Sequence, residues 1–254
     1  MFDLGKKTIL LTGASSGIGA ETAKVLGESG AHVIAHYVDD HEGVEQATRE
    51  IPGDHKLLLS ANFEEPGSAR RLWREAVAWR GVVDVLVNNA AIMPETAISG
   101  SDEAWDLGWA RALQVNLVEP ASLTREAVLH FEDAGGGTVI SLSSWAAQQG
   151  SSIATLSAYA ATKSAIKALT QTIARNYAKD GVLAYIVAPG IVRTSMSLIA
   201  ATARGGDDAV KSILPLGDLV PTAEVAAMIA FLSSGLCRHL SGATIDMNGA
   251  SYIR

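Results

Sequence analysis

Thr12-Gly13-Ala14-Ser15-Ser16-Gly17-Ile18-Gly19, at the end of the β-rich run Thr8 to Thr12, decides the fold. The run reads as a strand, and Gly17 to Glu28, ended by Gly30, reads as a helix. A glycine-rich turn between a strand and a helix is the context that a nucleotide-binding fingerprint demands. The glycines allow a tight turn and close backbone approach to a pyrophosphate, and the helix start offers free N–H groups and a favourable dipole. The spacing is Gly-x-x-x-Gly-x-Gly, and no lysine follows Gly19 as a phosphate-transfer loop would require. A nucleotide held but not hydrolysed is implied, which suggests a redox dinucleotide. Alone, the turn is a weak signal, since turns use glycine anyway.

Outward from this turn, short β-rich runs alternate with helical patterns. Further strands are expected at Ala31 to Tyr37, Lys56 to Ala61, Val82 to Val87, Thr138 to Leu142, Val182 to Val187 and Ala243 to Asp246. Helices are expected at Glu42 to Ile51, Ser68 to Trp79, Ser101 to Phe131 with a break near Pro120, Ser157 to Lys179, and Thr222 to Leu232. The alternation predicts α/β architecture, a doubly wound, Rossmann-type parallel sheet with helices on both faces. No repeat, low-complexity tract or linker divides the 254 residues, so one domain over 1–254 is expected.

Composition narrows the function. Hydrophobic residues at 48% and charged residues at 19% suit a globular enzyme. A net charge of −7 argues against a nucleic-acid partner. No apolar run approaches the ~18 residues of a membrane span. Ile9-Leu10-Leu11 behind Lys6 and Lys7 is too short for a signal segment and runs into the glycine motif, so the start reads as a mature N-terminus. The single cysteine, Cys237, rules out an internal disulfide, suits the cytoplasm, and reads as a small buried hydrophobe. No metal is expected.

Tyr159 and Lys163, four residues apart in Tyr-Ala-Ala-Thr-Lys, share a helix face. An ammonium beside a phenol favours phenolate and would make the tyrosine usable as an acid or base near neutrality. Such spacings also occur by chance on solvated faces. Small neighbours (Ala158, Ala160, Ala161) and the strand-ending Ser143-Ser144 favour a site, because ligands in this fold sit at the carboxyl ends of strands.

With these motifs in order, the chain resembles the short-chain dehydrogenase/reductase family, in its 3-oxoacyl-reductase-like branch. Thr12 to Gly19, Asn88-Asn89-Ala90-Ala91, Asn116, Ser144, Tyr159 to Lys163, Pro189-Gly190 with Thr194, and Pro215-Leu216-Gly217 carry the resemblance, which spans essentially the whole chain. It implies reversible, NAD(P)-dependent hydride transfer between nicotinamide and a carbonyl/secondary-alcohol substrate. Tyr159 would move the proton on the substrate oxygen. Lys163 would bind the nicotinamide ribose and hold the tyrosine pKa down, Ser144 would bind the reacting oxygen, and Asn116 would anchor a relay water. The loop from Ser144 to Tyr159 is longer than the family pattern, which leaves Ser143 as the alternative serine. The expected cofactor contacts are Gly13, Ser15, Ser16, Gly17, Ile18, Gly19, Tyr37, Asn62, Asn89, Ala90, Tyr159, Lys163, Pro189, Gly190, Ile191 and Thr194. Ala91 replaces the usual glycine of its motif, and Asn62 stands where an aspartate is usual.

By resemblance, Tyr37 takes the position of the acid that binds a ribose diol in NAD users, and Val38 that of the basic residue in NADP users. Neither signature is present. The missing cation, with Asp39 and Asp40 close by, favours NAD over NADP. Segment 195–213, with Met196, Leu198, Ile199, Gly205 and Gly206, is the expected substrate lid. Met93, Pro94, Trp145, Gln148 and Gln149 are candidates for the pocket rim. The resemblance also implies a homotetramer paired through the long helices and the C-terminal segment. A non-catalytic dinucleotide-binding regulator on the same fold is the alternative, and retention of Asn116, Ser144, Tyr159 and Lys163 speaks against it. An epimerase or dehydratase of the extended sugar-nucleotide branch fits less well, as that branch uses different glycine spacing.

Overall fold

The computed structural model describes residues 3–194, 197 and 206–253. Among them, β1 (Thr8–Leu11), β2 (His32–Tyr37), β3 (Lys56–Ser60), β4 (Val85–Asn88), β5 (Gly137–Leu142), β6 (Val182–Pro189) and β7 (Thr244–Met247) form one sheet in the order β3-β2-β1-β4-β5-β6-β7. Every pairing is parallel, with Leu11 beside Ala35 on one side and Val87 on the other. The helices are α1 (Gly17–Glu28), α2 (His41–Ala47), α3 (Ser68–Arg80), α4 (Asp102–Leu113), α5 (Glu119–Ala134), α6 (Ala146–Gln149), α7 (Ser157–Tyr177), α8 (Asp207–Ile213) and α9 (Thr222–Ser233).

The side-chain period of two explains why the inner strands are apolar throughout. Ile9, Leu11, Val33, Val87, Ile140 and Val187 face one side, where Leu26 of α1 and Ile229 of α9 cover them. Leu10, Ile34, Leu86, Val139 and Ala184 face the other, under Leu72 and Trp73 of α3, Leu123 and Phe131 of α5, and Ile173 of α7. The chain leaves β1 toward β2 and β3, then returns to place β4 against β1 on the opposite side. The carboxyl ends of β1 and β4 therefore open onto a crevice at the switch point.

The doubly wound single-domain expectation holds, with local differences. The long helix expected from Ser101 to Phe131 does not break at Pro120. Gln114–Val118 forms a π turn between α4 and α5, where the N–H of Glu119 reaches back five residues to the Gln114 carbonyl. Pro120 cannot donate to the carbonyl of Asn116 four residues back, and the π turn takes up that defect. Glu119 opens α5 at 2% exposure and braces α3: its carboxylate accepts from the N–H groups of Gly67 (2.9 Å) and Ala69 (2.7 Å) and from Gln114 Nε2 (3.2 Å). The helix expected at Glu42 to Ile51 ends at Ala47. The loop between β5 and α7 contains α6 and a 3-10 turn, Ala154–Leu156. Cys237 is exposed rather than buried, because it falls in the turn after α9, where its carbonyl accepts from the Tyr185 hydroxyl at 3.3 Å. No described helix is long and apolar enough to cross a membrane.

Candidate active site

The crevice is a cavity of about 530 Å³. At one end lies the glycine turn. Gly13 has φ +68° and Gly17 φ +54°, backbone conformations that favour glycine. A Cβ on Gly19 would stand 1.8 Å from the Gly13 carbonyl oxygen. Thr12 and Asn89 tie this turn to the end of β4: Thr12 Oγ1 accepts from the N–H groups of Asn89 (2.9 Å) and Ala90 (3.0 Å), and Asn89 Nδ2 donates to the carbonyls of Thr12 (2.9 Å) and Gly13 (3.0 Å). Ser16, at the N-cap of α1, makes no side-chain capping bond, and the first turn of α1 carries no acid. The free N–H groups of that turn face the crevice end of the sheet, an arrangement suited to a pyrophosphate.

At the other end, β5 delivers Ser143 and Ser144 opposite Tyr159 and Lys163 of α7. Lys163 is 4% exposed; its Nζ donates to the Leu142 carbonyl at 2.7 Å and lies 5.8 Å from the centroid of the Tyr159 ring. Burial lowers the Lys163 pKa from 10.5 to about 8. Burial also raises the Tyr159 phenol, and a hydrogen bond with the Ser144 hydroxyl pulls in the opposite direction. The expected depression of the tyrosine pKa by Lys163 is thus not seen in the protein alone: burial raises the phenol, and the ammonium is engaged with Leu142. Ser143 Oγ donates to the Lys163 carbonyl at 2.8 Å, which ties β5 to α7 and leaves Ser144 as the serine on the phenol.

A model of a family described as enoyl-(acyl carrier protein) reductase matches residues 13–249. The chain is 32% identical over 256 residues to 3beta-hydroxysteroid dehydrogenase 1 of Eggerthella lenta, covering 97% of this chain and 94% of that protein. The chain belongs to the short-chain dehydrogenase/reductase family. It is 29% identical over 249 residues to a 3-oxoacyl-(acyl-carrier-protein) reductase of Staphylococcus epidermidis, covering 97% of this chain and 99% of that one. It also superposes, with a TM-score of 0.88 and 27% identity, on a short-chain dehydrogenase/reductase of Brucella melitensis named glucose/ribitol dehydrogenase, over 100% of this chain and 99% of that one. Membership makes the protein an NAD(P)-dependent oxidoreductase.

Against this family pattern, the structure brings Gly13, Ser15, Ser16, Gly17, Ile18, Gly19, Tyr37, Asn62, Asn89, Ala90, Ser144, Tyr159, Lys163, Pro189, Gly190, Ile191 and Thr194 to the wall of one cavity. Asn116 stands behind the described wall, 2% exposed. Its Oδ1 accepts from the Ile92 N–H (2.8 Å), and its Nδ2 donates to the Ile92 carbonyl (2.8 Å) and to Thr162 Oγ1 (3.2 Å). Of the rim candidates, Met93 and Trp145 line the cavity, whereas Pro94, Gln148 and Gln149 are not in its described wall. Gln148 instead accepts from Lys167 Nζ at 2.5 Å. Met196, Leu198, Ile199 and Gly205 of the expected lid lie outside the described residues; Val210 of α8 lines the cavity. Sequence reading missed Ser151, Ile153 and Leu156, which reach the wall through the elongated loop, and His36, which read only as one residue of an apolar strand.

Proposed function

We propose that the protein transfers hydride reversibly between NAD and a carbonyl/secondary-alcohol pair, with Tyr159 as general acid/base. The observation that carries this reading is that Tyr159, Ser144 and the buried Lys163 share one cavity wall with the glycine turn. The dinucleotide, when bound, supplies or accepts the hydride. In reduction, Tyr159, kept neutral by burial, donates its proton to the substrate oxygen, and Ser144 hydrogen-bonds that same oxygen as charge develops. Lys163 has three N–H donors, one of them on Leu142; the others serve the ribose hydroxyls and the phenolate left behind. Asn116, buried behind the cavity wall, would anchor a relay water.

Preference for NAD is supported by charge. Lys163 is the only Lys or Arg among the described lining residues, whereas Asp39 and Glu64 also line the cavity. Glu64 is paired with Arg111. Val38 is 46% exposed where a 2′-phosphate would need a cation. Met93, Trp145, Ile153, Leu156, Ile191 and Val210 suit an uncharged, medium-sized apolar substrate. Exposed Leu107, Val118 and Leu129 on α4, the π turn and α5, and Ile253 near the C-terminus, support a homotetramer; the single cysteine, Cys237, suits the cytoplasm. Sedimentation as a monomer at micromolar concentration refutes the assembly.

A fluorescence titration with NADH and, separately, NADPH tests the cofactor assignment: saturation with NADH at the lower concentration is expected, and binding of neither rejects the dinucleotide site. Tyr159→Phe then tests the chemistry. Turnover falls on the order of 100- to 10,000-fold while NADH affinity stays within a few-fold. Turnover close to wild type refutes the acid/base role.

A further inference from the structure

His36 is fully buried in β2, stacked on Phe63 with ring centroids 4.7 Å apart and an interplanar angle of 12°. Its Nδ1 accepts from the Gly13 N–H at 3.1 Å, which requires a lone pair there. The proton of the neutral ring therefore sits on Nε2, which donates to the Ala61 carbonyl at 2.9 Å. Its own carbonyl accepts from the Ala14 N–H at 2.8 Å. With both nitrogens on backbone groups, His36 is no proton carrier. Burial agrees, since it holds the ring far below its ordinary pKa and keeps it neutral.

A core histidine with both nitrogens satisfied commonly does no more than fill space. His36 differs in what its two bonds join. Gly13 begins the glycine turn, Ala61 precedes Asn62, and Tyr37 is the next residue along β2; Gly13, Tyr37 and Asn62 all line the cavity, as does His36 itself. One imidazole thus spans three adjoining strand ends, β1, β2 and β3, at the nucleotide end of the crevice.

We propose that His36 is a positioning residue for the dinucleotide, acting through its Nδ1 bond to Gly13. This rests on the dinucleotide-binding reading above. Gly13 is partly exposed and lines the crevice. Without His36, its N–H can take a water in the free protein, and a dinucleotide closing over the turn must expel that water. The loss then falls on binding as well as on folding.

Two substitutions separate the bonds. In His36→Asn the amide oxygen replaces Nδ1 and the Ala61 contact is lost. In His36→Gln the longer side chain reaches toward Ala61 and leaves the Gly13 N–H without its partner. Titration with NADH is expected to give His36→Asn a Kd within about threefold of wild type and His36→Gln a Kd weakened roughly tenfold, from one unpaired donor. A space-filling role would lower the thermal midpoints of both variants without separating their affinities. Equal Kd values in the two variants, or a weaker Kd in His36→Asn, overturns the proposal. Should His36→Gln fail to fold, His36→Phe, which keeps the ring stack and removes both bonds, takes its place with the same expectation and the same refutation. If wild type itself saturates with neither NADH nor NADPH, the dinucleotide reading fails rather than the role of His36.

Discussion

His36 makes acid sensitivity of the fold calculable. Burial moves its pKa from 6.5 to about 4, even though the bond to the Ala61 carbonyl works to raise it. Above pH 6.5 the ring is neutral in both the folded and the unfolded chain, and its contribution to stability is fully present. As pH falls below 6.5 the unfolded chain takes up a proton that the folded chain refuses, so stability declines until the folded ring also protonates near pH 4. Linkage sets the loss at about 2 kcal/mol between pH 7.5 and pH 5, and about 3 kcal/mol by pH 4. The protonated ring would also have no Nδ1 lone pair for Gly13, so acid unfolding and loosening of the glycine turn share one cause. The assay is equilibrium urea unfolding, followed by tryptophan fluorescence across this pH range, for wild type and His36→Asn. Carboxylates and the other histidines titrate in both proteins, so the difference between the two curves isolates residue 36. Wild type should lose about 2 kcal/mol more than His36→Asn on going from pH 7.5 to pH 5. Parallel curves refute the assignment of a buried, neutral His36.

Three further outcomes follow from particular contacts. Gly19→Ala drives a Cβ to 1.8 Å from the Gly13 carbonyl and 2.7 Å from Asn89 Nδ2. The turn must open, and NADH affinity should fall on the order of 10- to 100-fold by fluorescence titration; affinity within threefold of wild type contradicts the close packing of the turn. Glu119→Gln sets an amide among the N–H groups of Gly67 and Ala69, and should cost about 1–3 kcal/mol in urea unfolding without changing NADH affinity. An unchanged midpoint removes the brace from the account of α3. Val38→Arg supplies the absent cation and should move the NADPH-to-NADH affinity ratio toward NADPH by roughly tenfold; an unchanged ratio places the ribose hydroxyl elsewhere.

What was legible in the sequence divides along physical lines. The inner strands could be read because a sheet covered on both faces needs largely apolar runs, and glycine or proline punctuates them; the edge strands β3 and β7 carry Lys56, Ser60 and Asp246 and are less buried. The parallel, doubly wound sheet followed from the alternation of strand and helix, which leaves the order of the strands open. The site motifs could be read because backbone geometry imposes them: Gly13, Gly17 and Gly19 stand where positive φ or steric contact leaves little choice, and Tyr159 and Lys163 stand one helical turn apart. Less legible were contacts made across the fold. Nothing local distinguishes Ser143, which bonds the Lys163 carbonyl, from Ser144, which shares the cavity wall with Tyr159. The π turn at Gln114–Val118 was anticipated only as a break near Pro120, since its placement depends on how α4 and α5 pack. The tyrosine pKa was misjudged because helical spacing shows the ammonium but not the burial that raises the phenol.

The two ends of the crevice are built on one plan. In each, a buried polar side chain binds main-chain atoms of neighbouring elements, and the next residue along faces the cavity. His36 binds Gly13 and Ala61, and Tyr37 beside it faces the cavity. Ser143 binds the Lys163 carbonyl, and Ser144 beside it meets Tyr159. Because successive residues on a strand alternate in direction, a bracing residue and a presenting residue can be adjacent only at a strand end, where the alternation points one inward and the next toward the crevice. A parallel sheet aligns all such ends on the same edge. That edge can hold a polar site against an apolar core, and there a lysine at 4% exposure is kept beside a phenol.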